Sequence, residues 1–353
     1  MKIAFEGIQG AHSQAAVEGF LTSLAQPSYP VHPLFSKRLQ DAQTNGTPLD
    51  QVAQLVPTPS ISDIFNALSA TPHPEVDFGF IPIENTVSGT FVQVYDQLMP
   101  FQHRVHIVGE WVCHQSNFLM VLKDSPIQTL ADIEELYSHQ HVLEQCKQLH
   151  HRLQKERSLK SKSRCLVRSM EDTATAASYL QSKQLTHAAV IGNALAAERY
   201  GLRILMAKVE DDPRSATRYL ILSNQPLDND QLSVCSQTSK NKTSLAVSLK
   251  NAPGQLFRAL SCFALRDLNI TKMESRPSPR ASGALTTASG VWEYVNYMDI
   301  EGGTSEVNVR NALQQLQEFA SQVRVLGSYP RFNGTVDFSS SFDTVMGGPY
   351  GGM

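Results

Sequence analysis

Thr217-Arg218-Tyr219 stands directly after the acidic stretch Glu210-Asp211-Asp212-Pro213 and sets a hydroxyl beside a guanidinium. A guanidinium grips a carboxylate as a planar fork, and a hydroxyl can donate to a departing oxygen, so the pair suits an anionic substrate that loses an oxygen. The plainer reading is a strand-end threonine with Arg218 paired to Asp211 or Asp212. Glu84-Asn85-Thr86, followed by Ser88-Gly89-Thr90, lies just past the apolar run Phe78–Ile83. Ligands of open α/β sheets gather beyond such strand ends, where Glu84 and Asn85 could hold a substrate hydroxyl and exchange a proton. A turn whose side chains bond their own backbone would use the same residues. Gly7-Ile8-Gln9-Gly10-Ala11-His12-Ser13 joins a strand to a helix and would aim N–H groups, with the Ser13 hydroxyl, at an anion. A tight turn with a helix cap is the alternative. Ser138 and Gln145 flank a further helix start, where Ser138 is equally a cap. His139 has no partner at metal-ligand spacing, so neither a metal nor a cofactor is expected.

The elements that would position these groups alternate over residues 1–223. The spacing predicts strands at Ile3–Glu6, Phe78–Ile83, Val105–Val108, Trp111–Cys113, Phe118–Leu122, Ala188–Ile191 and Tyr219–Leu222. Helices are predicted from Ala11, over Ser62–Leu68, Asp132–Tyr137, Leu143–Leu153 and Ala194–Tyr200, and up to Leu180 from a start capped by Ser169 with Asp172. That alternation implies α/β layers. Gln26–Gln51 and the basic Gln154–Arg164 read as solvated surface, and residues 224–240 as a linker.

After the linker the pattern resets to β-α-β-β-α-β over 241–331, a ferredoxin-like α+β sandwich. Asn251-Ala252-Pro253-Gly254-Gln255-Leu256 precedes its first helix and Glu274-Ser275-Arg276-Pro277 ends its second strand. Helix-start N–H groups there would receive a carboxylate, and glycine would let a ligand or neighbouring subunit come close; an ordinary turn and a surface Glu–Arg pair would look the same. The Ser/Gly-rich tail 332–353 is expected to be disordered.

The chain has 353 residues, 41% hydrophobic and 18% charged, with a formal net charge of -3. That composition fits a folded soluble protein and gives no reason to expect a nucleic-acid or membrane partner. Five scattered cysteines without a C-x-x-C imply free thiols in a reducing compartment. No signal peptide precedes the first strand, so a cytoplasmic location is expected, or the plastid stroma if a transit segment has been removed.

Taken together, "FEGIQGAHSQAA", "VDFGFIPIENTVSGTFVQVYDQL", "SHQHVLEQC", "EDTATAA", "HAAVIGNALAAERYGLRIL" and "ATRYLIL" resemble, in order, the prephenate/arogenate dehydratase family. "KTSLAVSLKNAPGQLFRALSCFALRDLNITKMESRP" and "LQEFASQVRVLGSYPR" resemble the ACT regulatory domain fused to such enzymes. The resemblance departs at His12, where the family usually has an aromatic, at Tyr219, where it has Phe, and at Gln140-His141, where it has Pro-Gln. It implies a hydro-lyase whose catalytic domain (1–223) is two-lobed and periplasmic-binding-protein-like, with lobe one at 1–104 and 188–223, lobe two at 105–187, and the site between them. It implies Thr217, Glu84 and Asn85 as catalytic, and Ser13, Ala11, Thr86, Ser138, Gln145 and Arg218 as substrate-binding. The substrate would be prephenate or arogenate. L-Phenylalanine would be the allosteric effector, held by residues 251–256 and 274–277 in a homodimer or homotetramer. No mutase module precedes Met1, so a bifunctional arrangement is not expected. A non-catalytic amino-acid sensor is the competing reading, since a two-lobed cleft and an ACT domain can simply bind.

Overall fold

The computed structural model describes residues 1–24, 32–35, 39, 41, 42, 44–47, 49–101, 103–236, 240–277, 294–332, 336 and 337. In chain order the first layer contains β1 (Lys2–Glu6), α1 (His12–Leu24), β2 (Gln54–Thr58), α2 (Ile61–Ser69), β3 (Phe78–Asn85), β4 (Gly89–Thr90), α3 (Val92–Leu98) and β5 (His106–His114). The chain then builds β6 (Phe118–Leu122), β7 (Glu135–His139), α4 (Gln140–Gln145), α5 (Lys147–Leu159), β8 (Leu166–Met170), α6 (Thr173–Lys183), β9 (Ala188–Gly192), α7 (Ala194–Arg199) and β10 (Leu202–Met206). It returns through β11 (Ala216–Ser223) and α8 (Asn229–Ser236) to β12 (Asn241–Ser248), α9 (Gln255–Ala264), β13 (Ile270–Pro277), β14 (Tyr294–Glu301), α10 (Val307–Gln317) and β15 (Gln322–Pro330). A two-residue strand, β16 (Val336–Asp337), follows.

The elements form three sheets, ordered β16-β5-β11-β3-β1-β2, β10-β6-β9-β7-β8 and β13-β14-β12-β15, with β4 paired to β3. The first two make a two-lobed α/β domain whose chain crosses between lobes after β5 and again before β11. The third has its central strands covered by α9 and α10 in ferredoxin-like order. Local sequence sets the helix starts. Ser60 accepts the Asp63 N–H before the apolar stripe Ile64, Phe65 and Leu68, and Asp172 accepts the Thr175 N–H. Phe20, Phe35, Phe80, Trp111 and Tyr219 pack their rings together in the core of lobe one.

Several expectations need correction. The lobes divide after β5 and before β11, not at 104 and 188, because β5 pairs with β11 in the first sheet while β9 and β10 belong to the second. Val105–Val108 and Trp111–Cys113 fall on one strand, β5, apart from Val105 just before it. Asp132–Tyr137 is not helical: a 3-10 turn at Leu130–Asp132 leads into β7, whose central position buries both faces and removes the alternation that marks a strand. Within Gln26–Gln51, Phe35 and Leu39 are core residues and His32 bonds the Val108 carbonyl. Within Gln154–Arg164, Arg157 is buried and donates to the carbonyls of Ala131 and Ile133. The 224–240 linker carries α8, whose Leu232 is buried. Phe332 is docked, its N–H on the Glu110 carboxylate and its ring against Trp111, and β16 pairs with β5; the remainder of the 332–353 tail lies outside the described residues.

Candidate active site between the lobes

β11 is buried along its whole length, with β3 on one edge and β5 on the other. Thr217 stands opposite Asn85, and a bulge between Arg218 and Tyr219 shifts the register on β3 near its C-terminal end. Such a bulge re-aims side chains at a strand end. Because side chains alternate across a strand, Thr217 and Asn85 project to one face while Arg218 and Glu84 project to the other. On the first face, Asn85 Nδ2 donates to Thr217 Oγ1 at 2.9 Å and to Ser215 Oγ at 3.2 Å. Asn85 Oδ1 accepts the N–H groups of Val87 and Ser88, which fixes which way the amide points. A hydroxyl that already accepts from an amide keeps its own proton to give. Thr217 is therefore oriented as a donor, in a setting where it is 2% exposed.

The opposite face corrects two expected roles. Arg218 forms ion pairs with Glu84 and Asp299 at 2.7 Å and with Glu110 at 3.0 Å. Glu84 also pairs with Lys272, and Glu110 with Lys242. Arg218 is thus surrounded by carboxylates of its own protein and is not placed to fork a substrate. Asp211 and Asp212 do not pair with it either: Asp211 accepts the N–H groups of Lys147 and Gln148, and Asp212 pairs with Arg214. Glu84 cannot share a proton with Thr217 from across the sheet. Burial opposes ionisation of Asp299, but Arg218 and Lys242 hold its carboxyl below the ordinary range.

The glycine turn meets lobe two. Gly10 (φ +93°) has the backbone of Ala196 3.3 Å from where a Cβ would stand, and its carbonyl accepts from Asn193 Nδ2. The Tyr200 hydroxyl donates to the Gln9 carbonyl. The Ala11 N–H goes to the Ile8 carbonyl and is not free for an anion. His12, at the start of α1, bridges to lobe two, with Nδ1 3.0 Å from Thr173 Oγ1 and Nε2 3.2 Å from Asn117 Oδ1. Burial, only partly offset by Asn117 and Asp172, pushes its pKa down to about 4 and keeps the ring neutral near pH 7. The Ser13 hydroxyl reaches Tyr219, which also takes a bond from Gln115 Nε2 at 2.7 Å. Gln145 Nε2 donates to Ser88 Oγ, joining α4 of lobe two to the loop that holds Asn85. Thr86 Oγ1 accepts the Ala216 N–H. Ser138 is committed elsewhere: its hydroxyl donates to the Ile191 carbonyl inside lobe two.

Thr217, Asn85, Thr86 and Gln145 are therefore brought together, with Ser13 bonded to Tyr219, two residues along β11 from Thr217. Asn117 Nδ2 and Gln145 Oε1 are buried without a hydrogen-bond partner at this junction. Sequence reasoning missed Asn117, His12 as a bridge, and Ser215. Their partners lie more than a hundred residues away, so no local spacing marks them. Among the described residues there is no cluster of metal-ligating side chains and no helix long and apolar enough to cross a membrane. In the third sheet, Ser248 and Arg276 both stand opposite Val295, so the 249–254 loop and the end of β13 share one end of the sheet. Gln255 Oε1 there is also buried without a partner, while Arg276 is drawn to Asp96 of lobe one.

Residues 3–227 match the family model described as prephenate dehydratase. The chain is 32% identical over 334 residues to "Arogenate dehydratase/prephenate dehydratase 2, chloroplastic" of Arabidopsis thaliana, covering 94% of this chain and 73% of that one. It shares its fold with a prephenate dehydratase from Arthrobacter aurescens solved in complex with L-Phe (TM-score 0.68, 24% identity, 99% of this chain and 100% of that one). A structure titled as GqqA, a novel type of quorum quenching acylase, is equally similar in fold (TM-score 0.68, 23% identity, 94% and 98%). The fold alone therefore does not select a reaction.

Proposed function

Because this chain belongs to the prephenate dehydratase family, we propose that it converts prephenate to phenylpyruvate, with Thr217 as hydrogen-bond donor to the departing hydroxyl. The observation that carries the assignment is the Asn85 amide on Thr217 Oγ1, which leaves the threonine proton for the substrate. In the reaction, the bond from the ring to its carboxylate breaks to release CO2, and that electron pair enters the ring. The C–O bond across the ring then breaks, and the oxygen leaves with a proton as water. Hydroxide is a poor leaving group, so a donor aimed at that oxygen lowers the barrier. Threonine is too weak an acid to surrender its proton for good, and with Glu84 held across the sheet a bound water is the replenishing source. Ser13, Thr86, Gln145 and the unpartnered Asn117 Nδ2 are the groups proposed to hold the substrate's polar ends.

Arogenate is the second reading, favoured because the Arabidopsis relative's name carries both substrates. The two differ only in a keto or an amino group on the side chain. L-Phenylalanine is proposed as effector, bound as an ACT domain would bind it, at 251–256 and 274–277 in a homodimer or homotetramer. The fold's likeness to the L-Phe complex and the unpartnered Gln255 Oε1 support that reading. A reducing compartment, cytosol or plastid stroma, suits the buried free thiols that Cys113, Cys146, Cys165 and Cys262 present among the described residues. The test is to incubate the protein with each substrate and measure phenylpyruvate and phenylalanine. Thr217→Ala should lower kcat by about 10²–10³ with the fold intact. Turnover of neither substrate leaves the amino-acid sensor standing and ends the enzyme assignment.

A further inference from the structure

We propose that Asp299, a residue of the C-terminal domain, is a positioning residue for the catalytic strand, acting on Thr217 through Arg218. The proposal rests on the role given to Thr217 above. Six charged side chains meet behind β11. Glu84, Glu110 and Arg218 come from the first sheet; Lys242, Lys272 and Asp299 come from β12, β13 and β14 of the third. The first set sums to one negative charge and the second to one positive charge, so the group is neutral only when the domains are joined. Among the described residues, Asp299 is the one carboxylate the C-terminal domain brings to Arg218, at 2.7 Å. Its other oxygen accepts from Ser244 Oγ at 2.6 Å.

Arg218 is the immediate neighbour of Thr217 on a strand with little freedom of its own. Its backbone is paired on both edges and its guanidinium is tied at three points. Whatever fixes that guanidinium fixes the height of β11 relative to β3, and with it the place of the Thr217 hydroxyl. Displacements of an ångström at a reacting group cost rate heavily. The C-terminal domain thus reaches the catalytic strand at Arg218 through the Asp299 ion pair.

Asp299→Asn tests this in the full chain. Its Oδ1 can still accept from Ser244, which leaves an amide donor facing the guanidinium. We expect kcat to fall at least about tenfold with KM for prephenate within about twofold. Ser244→Ala removes a bond to the same carboxylate but leaves the Arg218 pair, so it should lower the thermal midpoint and keep kcat within about twofold. Should Asp299→Asn fail to fold, Arg218→Lys replaces it: one ammonium cannot meet three carboxylates, and the same kcat loss at unchanged KM is expected. A folded Asp299→Asn or Arg218→Lys enzyme with kcat within about threefold of the parent overturns the proposal. So does a Ser244→Ala enzyme that loses as much kcat as Asp299→Asn. If Thr217→Ala is inactive while Asp299→Asn is active, only this inference fails; if Thr217→Ala is fully active, the reading beneath it fails as well.

Discussion

Asn85→Asp isolates the claim that an amide sets the direction of the Thr217 hydroxyl. The new carboxylate has nearly the same shape, and one oxygen still accepts from Val87 and Ser88 as Oδ1 does now. The other oxygen sits where Nδ2 is, 2.9 Å from Thr217 Oγ1, with no proton to offer. The only hydrogen available to that contact is the threonine's own, so the hydroxyl turns from the substrate to the carboxylate. A hydrogen bond to a charged group is worth about 1.5–3 kcal/mol and must be given up before Thr217 can donate to the leaving oxygen. At about 1.4 kcal/mol per tenfold, kcat should fall by roughly 10- to 150-fold. KM should hold, because the lost interaction belongs to the transition state. The measurement is initial-rate product formation across pH, beside circular dichroism to confirm folding. Acid should narrow the gap: once protonated, the introduced carboxyl can again donate to Thr217, so the parent-to-variant ratio shrinks as pH falls toward its pKa. A variant within about threefold of the parent at neutral pH refutes the reasoning.

Other outcomes follow from the same structure. At Gly327 an added Cβ would stand 1.9 Å from the Ile107 carbonyl oxygen, so Gly327→Ala must push β15 away from β5. A cost of about 1–3 kcal/mol or more should appear as a thermal midpoint several degrees lower, and an unchanged midpoint refutes the contact. His12 and His32 have pKa values pushed down to about 4 by burial, while an unfolded histidine titrates near 6.5. The unfolded chain binds protons first on acidification, so their contribution is complete above about pH 6.5 and is lost as pH falls through about 4. Denaturant midpoints measured over that window should fall with acid, and less steeply in His12→Gln; identical slopes would exclude a role for His12. Calorimetry should detect L-phenylalanine binding to the full chain and at least about tenfold weaker binding to Gln255→Leu, which removes the unpartnered Oε1. Heat from neither protein removes the effector proposal.

Much of this was legible in the residues. The βαββαβ reset after residue 240 could be read because each of its elements keeps a clear period, as Leu256, Ala259, Leu260 and Phe263 do on α9. That Thr217 and Asn85 meet came from the resemblance to the dehydratase family, which implies both in one site; the structure has them on neighbouring strands. What stayed hidden is which face a side chain takes. Glu84 and Asn85 are adjacent in sequence, and one strand's alternation sends one to a salt-bridge cluster and the other to the face that bears Thr217. Arg218 next to Thr217 fails for the same reason. The lobe boundary was hidden because β5 and β6 follow each other with only three residues between them, yet belong to different sheets. Phe35 and Arg157 show that a polar neighbourhood does not exclude a buried anchor.

The charged face of β11 bears on how the chain is made. Residues 1–223 leave the ribosome first, and domains fold as units in that order. Until β12 to β15 arrive, the side of the first sheet that will receive them is open to water. A fully apolar side would invite nascent chains to stick together. Glu84, Glu110 and Arg218 stand there as ions, so the half-made molecule presents a hydrated patch to its neighbours. That patch is covered when its own second half, bearing Lys242, Lys272 and Asp299, closes over it.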